Sequence, residues 1–193
     1  MARELLTMGK RFTKIEAEHR GFIEQQHVFF VASAVAESHV NLSPKDAASL
    51  RILGPNRVVY LDQTGSGNET AAHIRAGGRV TIMFCAFAGA PLILRLYGQG
   101  SVLSRGSEAY AAMLAGNFGG TEPPGSRQMI VLDIELVQTS CGYGVPLLDY
   151  SNERSTLVRW AAAKGPEGLQ EFWRRENAVS LDGLPTGLFD SAS

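Results

Sequence analysis

Residues 79–104 read Arg79-Val-Thr-Ile-Met-Phe-Cys-Ala-Phe-Ala-Gly-Ala-Pro-Leu-Ile-Leu-Arg-Leu-Tyr-Gly-Gln-Gly-Ser-Val-Leu-Ser104. Runs 79–87 and 92–104 are rich in β-branched and aromatic residues, and Ala88-Gly89-Ala90-Pro91 between them has the composition of a turn. The stretch predicts a long antiparallel hairpin, with a bulge at Gly98-Gln99-Gly100 where glycines relax the ladder. Alternation puts Leu92, Leu94 and Leu96 on one face and Ile93, Arg95 and Tyr97 on the other. Arg95 is therefore a charge inside a strand, either reaching a ligand or partner subunit or lying on a solvated outer face.

The same theme extends in both directions. Upstream, residues 49–53 and 57–61 flank Gly54-Pro55-Asn56, whose proline presets a turn, and they predict a second hairpin. Residues 27–36 read as a strand, and 40–43 return antiparallel to it until Pro44 breaks the pairing. An opening helix runs to about Gln26, with Thr13 and Glu16 as a capping box and Ile15, His19, Phe22, Ile23 and Gln26 on one stripe. Downstream, a helix near 107–115 leads to 128–139, whose near-continuous apolar character suits a buried strand. Residues 155–163 and 168–177 read as helices, with Trp160, Phe172 and Trp173 covering a barrel end or meeting a second subunit.

Strands joined by hairpins with few crossover helices predict an α+β fold: an antiparallel split β-barrel of about six or seven strands with peripheral helices, closure removing exposed edges. The 193 residues are read as one domain, with the barrel at 12–140 and a helical tail at 150–193. Eighteen basic and nineteen acidic residues give a net charge of −1, which supplies no field for nucleic acid or an anionic membrane. The first ten residues hold no apolar segment like that of a signal peptide, and nothing approaches a membrane span. Cys85 and Cys141 are expected as free thiols, Cys85 within an apolar run, and the expected location is cytoplasmic.

The chemistry concentrates at Asp62-Gln63-Thr64-Gly65-Ser66-Gly67-Asn68-Glu69-Thr70, where a strand feeds a glycine-bearing turn that opens a helix of about 69–76. Free N–H groups at a helix start attract anions, and Thr64 and Ser66 add hydroxyls. A simple helix cap, with Ser66 and Glu69 as its box, uses the same residue types, so both readings stand at this point. The run departs from a dinucleotide fingerprint, because Thr70 occupies the last small-residue position. The four histidines share no metal-ligand spacing, and no serine-hydrolase elbow or phosphate-loop lysine occurs.

Taken in order, the opening helix, strands 28–34 and 40–43, Arg57-Val-Val-Tyr-Leu-Asp62, the glycine turn, Asn68-Glu-Thr-Ala-Ala-His-Ile-Arg75 and the 79–104 hairpin resemble the pyridoxamine 5′-phosphate oxidase-like, flavin-binding split-barrel family. The resemblance covers about 12–140. Cys141-Gly-Tyr-Gly-Val-Pro146 and Ser180-Leu-Asp-Gly-Leu-Pro185 look like signatures of one branch of it. It implies a flavin mononucleotide-dependent oxidoreductase acting on a small molecule, as a homodimer with flavin sites at the subunit interface. Flavin contacts would come from Asn41, Ser43 and Lys45, from Tyr60, Leu61 and Asp62, and from Thr64, Ser66, Gly67, Asn68 and Thr70, with Arg95 as a further cation. Where family oxidases carry a Ser-Arg-Lys run for the flavin phosphate, this chain has Asn68-Glu69-Thr70. That departure leaves a second expectation, a dimeric binding protein for a deazaflavin, haem or another ligand.

Overall fold

The computed structural model describes residues 9–190; most of the first ten residues, read above for a leader, lie outside this range. The 79–104 stretch forms the central hairpin of a single antiparallel sheet. Its strands β6 (Arg79–Cys85) and β7 (Ile93–Ser104) pair from Arg79–Gln99 to Cys85–Ile93. The others are β1 (Arg11–Phe12), β2 (Val28–Ala34), β3 (Asn41–Asp46), β4 (Leu50–Gly54), β5 (Arg57–Gln63) and β8 (Ser126–Ser140). Their order is β3-β2-β6-β7-β8-β5-β4, with β1 beside β8. The sheet curls into a split barrel, because Phe29 on β2 touches Tyr60 on β5 at 5.6 Å between ring centroids although β6, β7 and β8 lie between those strands.

Alternation decides what fills the barrel. Phe29, Val31, Val58, Tyr60, Ile82, Phe84, Leu94, Leu96, Ile130 and Leu132 form the interior cluster, sealed by Ile15 and Ile23 from helix α1 (Ala17–Glu24) and its approach. The opposite face of β5 and β8 carries Val59, Leu61, Met129 and Val131 against Tyr110 of α3 (Glu108–Asn117). Both faces of β5 are thus buried, which is why 57–61 reads as a continuous apolar run. Helix α2 (Glu69–Arg75) packs on β2 and β7. The last helix, α4 (Thr156–Glu176), is broken at Gly165 (φ 68°) and Pro166, giving the two helices expected there. Among the described residues no helix is long and apolar enough to cross a membrane.

Several local expectations change. Glu16, not Thr13, precedes α1, and its N–H donates to His19 Nδ1 at 3.1 Å. Pro44 lies inside β3, opposite Phe30, because β3 is an edge strand on which a missing N–H is tolerated. The bulge sits on β8, where Glu135 is the extra residue between the Tyr97–Leu136 and Gly98–Ile134 pairs. Gly98 makes room for it, since a Cβ there would stand 1.9 Å from Asp133 O.

Candidate functional site

The turn after β5, the start of α2, the edge strand β3 and the segment following α4 enclose a cleft of about 600 Å³. Asn41, Ser43, Lys45, Asp62, Ser66, Gly67, Asn68 and Thr70 line it, so the structure brings together eight of the residues singled out from sequence. Tyr60 lies directly below, in the barrel interior, with Lys45 Nζ 5.8 Å from its ring centre. Leu61 points the other way, into the cluster under α3. Thr64 is buried behind the cleft and bonds Gly125 O at 2.7 Å. Arg95 lies apart from these residues, bonding Ser140 at 3.2 Å on the β7–β8 ladder.

Asp62 organises the floor. It ends an apolar strand and is 3% exposed, so it needs cationic partners. Lys45 Nζ donates to Oδ1 at 2.9 Å, while Arg127 Nε and Gln128 Nε2 donate to Oδ2 at 2.8 and 2.9 Å. Burial acts to raise the carboxyl's pKa, but Arg127 and Lys45 together outweigh it and hold Asp62 far below the usual carboxylate range. The cluster contains two cations and one anion. Arg127 is itself 3% exposed, and its remaining bonds go to neutral acceptors, Gly67 O at 2.9 Å and Asn177 Oδ1 at 2.7 Å. The three groups beneath the glycine turn thus carry a net positive charge, while the Glu69 carboxylate stands beside Gly67 and Arg175 and Glu176 also line the cleft.

The turn's carbonyls are engaged from inside, Gly65 O by Asn177 Nδ2 at 3.1 Å and Gly67 O by Arg127. Its Ser66 and Gly67 N–H groups donate to nothing among the described residues. Asn68 accepts from Gln128 at 2.7 Å, and its buried Nδ2 has no partner. The Tyr60 hydroxyl is also buried without a hydrogen bond, and burial, then the Asp62 charge, push its phenol well above the usual range. Asn41 Nδ2 ties Thr70 Oγ1 at 3.0 Å and Ser33 Oγ at 3.3 Å. Glu69 does not cap α2 through Ser66; both its oxygens accept from Leu181 N at 3.1 Å.

Sequence reading missed Arg127, Gln128 and Asn177, and it named Trp173 and the motif 180–185 without placing either at this site. Trp173 Nε1 donates to Thr64 Oγ1 at 2.8 Å, so the tail braces the turn from behind. A signal for Arg127 did exist: an aspartate ending an apolar strand demands a buried cation, and 128–139 is preceded by one.

The family model described as pyridoxamine 5′-phosphate oxidase matches residues 15–141. An Aspergillus flavus protein, the pyridoxamine 5′-phosphate oxidase family protein ustO, is 41% identical over 182 residues, covering 86% of this chain and 73% of its own. Among solved structures, Group A Streptococcus HupZ aligns with a TM-score of 0.51 at 22% identity, over 63% of this chain and 91% of its own. A candidate pyridoxamine 5′-phosphate oxidase from Lactobacillus delbrueckii aligns with a TM-score of 0.51 at 22% identity, over 65% and 94%. At that identity the two structures speak for the fold.

Proposed function

Since the chain belongs to the pyridoxamine 5′-phosphate oxidase family, we propose that it is a flavin mononucleotide-dependent oxidoreductase whose cofactor phosphate sits on the floor of this cleft. The observation that carries the reading is the buried Lys45–Asp62–Arg127 cluster, which places two cations against one carboxylate beneath the free Ser66 and Gly67 N–H groups. This arrangement stands in for the family's basic run, which Asn68-Glu69-Thr70 does not supply. Asp62 can lose Lys45 to an anion because Arg127 and Gln128 still satisfy it. Lys45, 22% exposed at its side chain, is then the cation free to turn toward the phosphate, while Arg127 stays buried and fixes the turn.

The residues fit a phosphate-bearing ligand in a second way: the orphaned Asn68 Nδ2 is a buried donor in the cleft wall. They fit haem poorly, since no histidine, cysteine, methionine or tyrosine lines the cleft to serve as an axial ligand. A bound flavin would supply the hydride chemistry, and the chain's part is to hold and orient it. A homodimer belongs to the same reading. The unpaired outer edge of β3 and the exposed Val40, Leu42, Val179 and Leu181 beside the cleft are a surface that a two-fold partner would cover.

The test is titration of flavin mononucleotide against riboflavin, which lacks the phosphate. The expected result is a clear preference for the mononucleotide, reduced by Lys45→Met and abolished by Gly67→Asp, which puts a carboxylate into the turn. Gly67→Ala separates charge from bulk, because a Cβ there meets the flexible end of Glu69 at 2.9 Å, whose shift would touch the Leu181 N–H bond but not the phosphate preference. Equal affinity for the two flavins overturns the assignment. Sedimentation at micromolar concentration with only a 20.8 kDa species overturns the dimer.

A further inference from the structure

Resting on the reading of the cleft as a flavin mononucleotide site, we propose that the hairpin 179–185 is the wall that holds the ligand's ring. Its contact residues are Val179 and Leu181, with Leu42 opposite, and Glu69 and His39 clasp its tip. The family match stops at residue 141, so this wall is built by chain that the shared barrel does not supply.

The hairpin is constructed to present its tip. Val179 bridges Pro185, Ser180 N donates to Leu184 O at 2.8 Å, and Gly183 N donates to Ser180 O at 3.0 Å. Ser180 Oγ accepts from Leu184 N at 3.0 Å, and Gly183 takes φ 78°, which favours glycine. The motif Ser180-Leu-Asp-Gly-Leu-Pro185 is thus a tight turn that projects Leu181 and Asp182. Its foot is anchored by the fully buried Asn177, which holds Arg127 and Gly65 and whose carbonyl accepts from Thr186 Oγ1 at 2.7 Å.

The tip is held differently, by exposed polar contacts. Leu181 N donates to Glu69, and Asp182 accepts from His39 N at 2.9 Å and pairs with His39 Nδ1 at 2.6 Å. Leu181 is 77% exposed, Leu42 63% and Val179 53%, and all three line the cleft. Cationic on its floor and aliphatic where Leu42, Val179 and Leu181 face it, with Glu69, Arg175 and Glu176 on the remaining wall, the cleft suits a ligand that is anionic at one end and flat and apolar at the other. With its foot bonds buried and its tip bonds exposed, the hairpin is held more firmly at its base than at its tip.

The experiment measures flavin mononucleotide and riboflavin affinity and dissociation rate on the full chain by flavin fluorescence, for wild type, Leu181→Ser, Glu69→Ala and Lys45→Met. Leu181 is exposed in the single chain, so its replacement leaves the barrel intact, and sedimentation of Leu181→Ser alongside wild type shows whether a common loss comes from the wall or from a weakened dimer. Leu181→Ser is expected to weaken both flavins by a common factor of about five to ten, the loss of one aliphatic contact. Glu69→Ala is expected to speed dissociation of both. Lys45→Met lowers the mononucleotide alone. If wild type prefers the mononucleotide but Leu181→Ser and Glu69→Ala change neither flavin, the hairpin wall is overturned and the phosphate site stands. A Leu181→Ser loss confined to the mononucleotide also overturns it, placing Leu181 beside the phosphate. If wild type binds both flavins equally, or neither, the cleft reading fails first.

Discussion

Arg127→Met removes the only deeply buried cation of the site while keeping its stem volume, and the structure gives the cost. Arg127 leaves behind Asp62 Oδ2, Gly67 O and Asn177 Oδ1, which it had bonded at 2.7–2.9 Å. Breaking a buried pair by deleting one partner costs about 3–5 kcal/mol, because the remaining charge is uncompensated. Lys45 and Gln128 still bond Asp62, which puts the expectation at the low end. For a chain of this size each kcal/mol moves the midpoint by about 2–4 °C, so melting followed by circular dichroism at pH 7 should fall by about 6–12 °C. The acid limb provides an independent readout. Asp62 is held below its ordinary 3.8, so its contribution is present above that pH and is lost as pH falls through the depressed folded value. Without Arg127 the folded pKa rises back toward the ordinary value, so less of the stability is pH-dependent and the acid limb becomes shallower. Asp62→Asn also destabilises, since it strands two cations, and the double variant should lose clearly less than the sum of the singles. A midpoint within about 2 °C of wild type, or simple additivity, refutes the buried cluster as the keystone of the turn.

Three further outcomes are expected. Gly98→Ala should prevent folding or cost several degrees in midpoint, whereas Gly54→Ala, with nothing within 4 Å of its Cβ, should be tolerated; parallel thermal melts check both. Native iodoacetamide treatment should alkylate Cys141, which is exposed, and spare Cys85, whose thiol burial pushes up, as mass spectrometry with and without denaturant will show. The His39–Asp182 clasp should be tightest at mildly acidic pH. The side-chain bond to Asp182 raises His39 above 6.5, so that contribution is present below 6.5 and lost as pH rises through the raised value. Asp182 is lowered from 3.8, chiefly by its bond to His39, so its share is lost as pH falls through the lowered value. Flavin dissociation should accordingly quicken on the alkaline side, and Asp182→Ala should flatten the profile.

What the sequence disclosed and what it hid divide along a physical line. Strands were legible because period-two alternation and turn chemistry act locally, as at Gly54-Pro55-Asn56 and Ala88-Gly89-Ala90-Pro91. Even Pro44 misled only over where pairing stops, since edge position is a property of the whole sheet. The Glu69 box with Ser66 was a sound local inference that lost to a distant competitor, the Leu181 N–H, 112 residues away. Arg127 and Asn177 were hidden for the same reason: their roles exist only once the β5–β8 register sets Gln128 opposite Asp62 and α4 returns to the turn. Arg95 stood out as a charge in an apolar strand, but it lies on the Ser140 side of the sheet rather than at the cleft.

The exchange of one charge arrangement for another also constrains how the site works. A basic run on the turn itself would place its cations at the surface, where solvent screens them and holding long side chains costs entropy. Here Arg127 sits beneath the turn with its donors committed to Asp62, Gly67 O and Asn177, so its charge acts through the turn and cannot swing away. Of the two cations bonded to Asp62 only Lys45 retains freedom, so on the proposed reading anion binding would be an exchange of partners at one ammonium rather than the ordering of a loop. Because Arg127 also grips Asn177, and Asn177 anchors the 179–185 hairpin, the charge beneath the proposed phosphate position and the wall beside the proposed ring position share one residue. A lesion at Arg127 should therefore impair riboflavin binding as well as phosphate recognition, while a lesion at Lys45 should touch the phosphate alone. That asymmetry distinguishes a site in which the tail is integral from a barrel cleft to which it has merely been appended.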